Sequence, residues 1–114
     1  MKQIKELIIY NNPNGKKDSK RLVALFTFDN DKKKIVKFGS YGSMTFYDTG
    51  DVKLRQAYKA RHGALNENWL DITTRGALAY HVLWSVKSNN DIETRLKKLF
   101  KIPIVKVGIT KNKK

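Results

Sequence analysis

The segment Arg21–Asp29 constrains the fold most, because both of its faces are apolar. One face carries leucine, alanine and phenylalanine at alternate positions, and the other carries Val23, Leu25 and Thr27. Alternation with a period of two is typical of a β-strand, and a strand with two apolar faces lies inside a sheet that is covered on both sides. The pattern therefore predicts a central strand, which needs a neighbour on each edge.

Two further segments have the composition of strands and are separated from the first by turn-forming residues. Ile4–Tyr10 precedes a cluster of asparagine, proline and glycine, and Lys33–Phe38 follows the turn at Asp29–Asp31. β-Branched and aromatic residues bounded by such clusters indicate strands joined by turns. The N-terminal third is therefore predicted to form an antiparallel meander.

The rest of the chain is predicted to be mainly helical. A glycine-rich loop, residues 39–50, leads into a helix that ends at His62, and two more helices cover Arg75–Trp84 and Asp91–Phe100. Ile102–Ile109 contains a proline and is typical of an edge strand or of an arm laid on a partner. The predicted fold class is α+β, with a short antiparallel sheet of about three strands followed by three helices and an extended C-terminal arm.

The first of these helices carries an arginine on its apolar face. At about 100° per residue, Leu54 and Tyr58 lie on the same face as Arg61. A buried guanidinium needs an anionic or carbonyl partner, since an unpaired buried charge is costly. We therefore predict that Arg61 is buried and paired, with Glu67 and Asp71 as the nearest acidic residues.

The second helix is apolar around nearly its whole circumference, so it is predicted to be buried in the core or in a subunit interface. Together with the extended arm, this makes a homodimer one expectation. We expect residues 1–109 to form a single domain and residues 110–114 to form a flexible basic tail.

Charge is the strongest indication of a partner. The chain has 24 lysines and arginines against 10 acidic residues, a formal net charge of +14. Residues 1–37 carry +6 and residues 86–114 carry +7, whereas residues 38–85 carry only +1. Such an excess indicates a polyanionic partner, with nucleic acid the first expectation and an anionic membrane surface the second.

Several kinds of site are disfavoured by composition. The absence of cysteine excludes disulfides and thiolate zinc ligands, and no apolar run approaches the roughly 18 residues of a membrane span. His62 and His81 are isolated, so we expect structural roles, no metal, no cofactor and no catalytic residue. A phosphodiester-cleaving site built from Arg61, His62, Glu67 and His81 is the weaker alternative.

The basic clusters lie on predicted loops, turns and outer helix faces. Because acid does not balance base there, phosphate contacts are the preferred interpretation, and without a recognition motif the binding should be independent of sequence. The predicted nucleic-acid-binding residues are Lys16, Lys17, Lys20, Arg21, Lys32, Lys33, Lys34, Arg55, Lys59, Arg95, Lys97, Lys98, Lys111, Lys113 and Lys114.

The central segment, residues 38–85, contains a series of ordered short motifs. They are Phe38-Gly39, Tyr47-Asp48, Arg55-x-x-Tyr58-x-x-Arg61-His62, Asn68-Trp69, Thr74-x-Gly76 and Leu83-Trp84. In order and spacing they resemble a family of small proteins of large nucleocytoplasmic DNA viruses, in which lysine is commoner at the position of Arg55. The resemblance implies a viral, marseillevirus-like source and, for so basic a chain, a virion protein associated with the packaged genome. It implies no enzymatic activity.

From the residues themselves, the motif block is predicted to be a scaffold of caps and core aromatics. The leading hypothesis is therefore non-specific DNA binding by the flanks, which neutralises or condenses a genome in the virion, with the host cytoplasm or nucleus as the location during infection. The alternatives are a structural virion component without a nucleic-acid role and, less favoured, a nucleic-acid-processing enzyme.

Overall fold

The computed structural model of the chain describes residues 3–64 and 69–112. The elements are β1 (Ile4–Asn11), α1 (Gly15–Asp18), β2 (Lys20–Phe28), β3 (Lys33–Ser40), α2 (Phe46–Thr49), α3 (Val52–Ala64), α4 (Arg75–Leu83), α5 (Asn89–Phe100) and β4 (Ile104–Gly108). This confirms the α+β class, but the described residues form four strands and five helices rather than three of each. None of the described helices is long and apolar enough to cross a membrane.

The sheet is mixed, with strand order β3-β2-β1-β4. β1, β2 and β3 form the predicted antiparallel meander, and β2 lies between its two neighbours as its composition indicated. The predicted C-terminal arm is instead β4, which pairs in parallel with β1 at the other edge, with Ile8 opposite Lys106. Parallel neighbours need a long crossover connection. Here nearly the whole chain separates the two strands.

One face of the sheet carries the core. Leu7, Leu22 and Phe26 point from it towards Leu78 of α4 and Leu96 of α5, and all five side chains are fully buried. The core cluster draws its helical members from α2, α4 and α5. The predicted second helix, α4, buries its apolar residues within one chain, and the predicted arm, β4, pairs with β1 of the same chain. Neither is therefore a reason to expect a dimer.

The opposite face of β2 is not covered in the way that its composition predicted. No helical residue of the core cluster lies on this side, yet Val23 is only 2% exposed and Thr27 only 8%. Val23 sits between Tyr10 and Lys37 in register, and the ammonium group of Lys33 donates to the Thr27 hydroxyl at 3.3 Å. Side chains of the neighbouring strands therefore provide the cover.

The segment predicted to be a glycine-rich loop, residues 39–50, contains a short helix, α2, and the helix predicted to follow the loop is α3. α2 begins at a capping box in which Thr45 and Asp48 satisfy each other's backbone N–H groups, and it ends at Gly50 with φ of +69°. The Asp51 carboxylate then accepts from the backbone N–H of Lys53 at 2.9 Å and starts α3. α2 ends at Gly50 because glycine readily adopts the left-handed backbone conformation that stops a helix.

α3 lies at the periphery, and the prediction for Arg61 is wrong. Arg61 is exposed, Leu54 is 37% exposed, and Tyr58 is the buried residue of this helix, stacked on Trp84 with ring centroids 4.3 Å apart. α3 packs against α2 rather than against the sheet, so only Tyr58 reaches the interior. Arg61 therefore needs no buried partner. Glu67, one partner proposed for it, lies outside the described residues.

The third helix begins earlier than predicted. Ser88 caps α5 by accepting from the backbone N–H of Asp91 at 3.1 Å. The Glu93 carboxylate accepts from the backbone N–H of Val107 and so joins α5 to β4.

Candidate nucleic-acid interface

Three depressions adjoin one another around α4, and we call them together the basic groove. The largest, the central cleft, has a volume of about 490 Å³ and lies between β3, the loop that follows it, α3 and α4. The β3 depression and the α4 depression flank it, each with a volume of about 270 Å³. Arg75 lines both the β3 depression and the central cleft, and Trp84 lines both the central cleft and the α4 depression. The three are therefore contiguous.

The lining of the groove is strongly basic. The central cleft is lined by Lys20, Gly39, Ser40, Ser43, Met44, Thr45, Leu54, Ala57, Tyr58, Arg61, His62, Arg75, Gly76, Ala79, Leu83 and Trp84. The β3 depression adds Lys34, Ile35, Val36, Lys37 and Thr73, and the α4 depression adds Arg55, Lys59, Tyr80, Ser85 and Arg95. Among the described residues, no aspartate or glutamate lines any of the three.

Most of the lysines and arginines that line the groove form no ion pair with a described acidic residue. The part of the chain that the structure describes holds three ion pairs: Lys5–Asp31, Arg21–Asp48 and Lys37–Asp18. Of these cations only Lys37 lines the groove, where its ammonium group lies 2.7 Å from a carboxylate oxygen of Asp18. None of the other groove lysines and arginines forms an ion pair with a described acidic residue, so the groove has a positive potential.

Several of these cations are held in place by aromatic rings. The Arg55 guanidinium lies 4.4 Å from the centre of the Phe46 ring, and the Lys59 ammonium lies 5.8 Å from that of Tyr80. Contacts of this kind fix a long side chain without neutralising its charge. The α4 depression therefore presents its cations in preferred orientations.

Arg95 is positioned by His81, which supports the prediction that this histidine is a structural core residue. The Nε–H of the Arg95 guanidinium donates to His81 Nδ1 at 3.1 Å. His81 Nε2 therefore carries the ring proton and donates to the Trp69 carbonyl at 2.7 Å. Burial lowers the pKa of His81, and the charge of Arg95 acts in the same direction, against the opposing effect of the Trp69 carbonyl. The folded state therefore favours the neutral ring.

This histidine should make stability depend on pH in mildly acidic solution. Because its pKa is lowered in the folded state, the unfolded chain binds more protons below the ordinary value of 6.5. The free energy of unfolding should be constant above about pH 6.5 and fall below it, by at most about 1.4 kcal/mol per pH unit for one proton. His81→Gln should flatten this profile between about pH 5 and 6.5 in urea denaturation. A variant that keeps the wild-type slope would contradict the assignment.

The predicted contact residues fall into four sets, of which the last, Arg21 and Lys111, is engaged within the protein. Lys20, Lys34, Arg55, Lys59 and Arg95 line the groove. Six others are exposed elsewhere: Lys16 and Lys17 on α1, Lys32 and Lys33 at the β2–β3 turn, and Lys97 and Lys98 on α5. Lys113 and Lys114 lie outside the described residues.

Two predicted phosphate contacts are engaged within the protein. Arg21 is 6% exposed, and its guanidinium donates to both carboxylate oxygens of Asp48, at 2.7 and 2.5 Å, and to the Thr110 carbonyl at 3.0 Å. Lys111 donates to the carbonyls of Tyr47 and Lys87 at 2.7 and 2.6 Å. The buried arginine of this protein is thus Arg21, and it cannot reach a phosphate.

Residues 110–112, the described part of the predicted flexible tail, make further hydrogen bonds to the domain. The backbone N–H of Asn112 donates to Asp48 at 2.7 Å, and its side-chain amide donates to the Ser43 carbonyl at 2.9 Å. Burial alone would raise the pKa of Asp48. The hydrogen bonds from Arg21, Asn112 and Thr45 outweigh burial and lower this pKa, so the carboxylate stays charged.

The motif residues, predicted to be a scaffold, converge on the central cleft. Gly39, Tyr58, Arg61, His62, Gly76, Leu83 and Trp84 all line it. Phe38 is fully buried in the core, Trp69 stacks on Tyr80 at 3.8 Å, and Asn68 lies outside the described residues. The rings of His62, Tyr58 and Trp84 form a continuous stack along one wall, with centroid separations of 4.0 and 4.3 Å.

Sequence reasoning missed Arg75, which lines two of the three depressions. It occupies the first position of α4, after the Thr74 side chain that accepts from the backbone N–H of Ala77. A cation at a helix N-terminus opposes the helix dipole, so it does not stabilise the helix. An arginine directly after an N-cap threonine was therefore the available signal that this position serves a ligand.

Comparison with known proteins gives one match. Residues 14–62 match a family of unknown function, DUF5754. The matched segment runs from the start of α1 through most of α3 and contains the β-sheet and α3 walls of the central cleft, whereas α4 lies beyond it. No curated protein and no solved structure matched the chain. The chain is thus similar over these 49 residues to a family whose function is unknown.

Proposed function

We propose that this protein binds DNA without sequence preference, through phosphate contacts made in the basic groove. The observation that carries the proposal is the continuous lining of the groove, to which β2, β3, α3, α4 and α5 all contribute cations and none of the described residues contributes a carboxylate. Guanidinium and ammonium groups that project from several elements of a sheet-and-helix framework suit a polyanionic backbone better than a single small charge.

The contact surface differs from the one that charge counting alone favoured. Lysines from the flanks of the sequence, such as Lys20 and Lys34, come together with arginines of the nearly neutral centre, Arg55, Arg61 and Arg75. Lysines exposed on α1 and α5 lie outside the groove and would add long-range attraction rather than direct contacts. The groove determines where the DNA binds, and the net charge of +14 attracts the DNA from a distance.

We further propose that the bound polyanion is a viral genome. The likeness of residues 38–85 to small proteins of large nucleocytoplasmic DNA viruses supports this assignment, because many of the motif residues of that likeness, Arg61 and Trp84 among them, line the groove. Neutralising phosphate charge would then help to condense the genome in the particle.

A salt titration tests the proposal. The intact chain is titrated with two labelled duplexes of unrelated sequence, and the observed association constant is measured over a range of salt concentrations. We expect the two duplexes to bind equally, with a slope of log Kobs against log[salt] of about −4 or steeper, at about −0.9 per phosphate contacted. A flat dependence, or no binding near physiological salt of about 0.15 M, would refute it.

A further inference from the structure

We propose that the central cleft binds a phosphate monoester of a nucleotide, as found at the end of a strand or on a free mononucleotide. This inference rests on the proposed function, because it assigns a particular ligand to one part of the same groove. The interior of a DNA strand contains no phosphate monoester, so we expect a preference that general binding of the DNA backbone does not predict.

The arrangement of charge distinguishes the central cleft from its two neighbours. Three elements direct four basic side chains to it: Lys20 from β2, Arg61 and His62 from α3, and Arg75 from α4. The hydroxyl-bearing Ser40 adds a neutral donor. None of the described residues that line the cleft is an aspartate or a glutamate, which favours an anionic ligand.

The charge of a terminal phosphate fits this set better than the charge of a backbone phosphate. A phosphate monoester carries about −1.5 to −2 at pH 7 and has three free oxygens. A diester of the backbone carries a single negative charge. Two guanidinium groups on different helices can each grip a phosphate through paired N–H donors. Arg61 and Arg75 are such a pair, and both are exposed and accessible.

The dimensions of the cleft support a single nucleotide. Its volume of about 490 Å³ falls in the range of small-molecule sites, about 300–1,000 Å³. The base pairs of a double helix cannot enter a space of this size, so a duplex reaches only exposed side chains such as Arg61 and Arg75, whereas one nucleotide fits inside. The β3 depression continues from the cleft past Arg75 to Lys34 and Lys37, so a strand that ends in the cleft has a basic path along which to leave.

The experiment compares competitors for a labelled oligothymidylate bound to the intact chain. The competitors are oligothymidylates of one length with a 5′-phosphate, a 3′-phosphate or two hydroxyl ends, together with thymidine monophosphate. A longer hydroxyl-ended strand of the same total charge is the control for simple electrostatics. We expect a phosphorylated end, thymidine monophosphate or both to compete about tenfold better than their charge alone allows, as one added charge-assisted contact provides.

Variants assign the preference to the cleft. Arg61→Gln and Arg75→Gln should each remove the preference, and Lys97→Gln, on the outer face of α5, should retain it. A phosphorylated strand that competes better than free thymidine monophosphate identifies a strand end as the ligand, and the reverse identifies a free nucleotide. If neither competes better than the charge-matched strand, the inference is wrong. Salt-dependent binding of duplex DNA would remain in that case, so the proposed function would stand.

Discussion

Replacing Arg21 with methionine should lower the free energy of unfolding by about 3–5 kcal/mol, the cost of leaving one member of a buried ion pair without its partner. The Asp48 side chain is fully buried, and Arg21 donates to both of its carboxylate oxygens. The methionine variant would retain much of the packing volume but leave the carboxylate without its compensating charge.

The effect should be large because the pair joins three parts of the chain. Asp48 also accepts from the Thr45 backbone N–H in the α2 capping box and from the backbone N–H of Asn112. Arg21 reaches the Thr110 carbonyl beyond β4. The loss of Arg21 therefore weakens the link between the central strand, α2 and the C-terminal segment. Urea denaturation followed by circular dichroism measures the change.

Lys37→Met is the matched control, since it also removes one cation from an ion pair. The Lys37 side chain is 43% exposed, and its pair with Asp18 should contribute no more than about 1 kcal/mol. A loss for Arg21→Met as small as that for Lys37→Met would show that the buried pair does not hold these segments together.

Removing three positive charges from the basic groove should weaken DNA binding about 100-fold or more near 0.1 M salt, given the salt dependence of each phosphate contact. The proposed variant is Lys34→Gln, Arg61→Gln, Arg75→Gln, whose positions are all exposed and span the β3 depression and the central cleft. Exposed substitutions of this kind should leave the fold intact.

The control removes the same charge outside the groove. Lys16→Gln, Lys17→Gln, Lys97→Gln changes three exposed lysines of α1 and α5. It lowers the long-range attraction equally but leaves the groove complete, so its affinity should fall far less. Thermal unfolding of both variants, expected within a few degrees of the wild-type midpoint, verifies that binding rather than folding is compared.

Local patterns gave much of the fold, and long-range pairing supplied the rest. The alternation of Arg21–Asp29 and the turn residues on either side of it correctly indicated the meander, because strand period and turn chemistry are local properties. The parallel pairing of β4 with β1 joins residues about 98 positions apart, such as Ile8 and Lys106, and no local pattern specifies it. The helix α2 lies within the segment predicted to be a loop, since its four residues are too few to show a helical period.

The candidate site shows the same limit more sharply. Periodicity placed Arg61 on an apolar face and therefore in the interior, whereas α3 lies at the edge of the molecule and leaves it exposed. Arg21 appeared to belong to a basic cluster, although Asp48, which is 27 residues away, buries and neutralises it. Whether a residue is buried depends on which elements pack together, and the periodicity of one helix or strand does not reveal this packing. Hence the net charge can be counted from the sequence, but the groove in which these cations meet cannot be derived from it.

The slope of log Kobs against log[salt] for duplex DNA, measured side by side for the two triple variants and the wild-type chain, tests the central claim most directly. If the basic groove contacts the phosphates, the groove variant should lose about 3 units of slope, close to one for each contact removed, and the control should keep the wild-type slope. Equal slopes for the two variants, with affinity following net charge alone, would contradict the assignment of DNA binding to the groove.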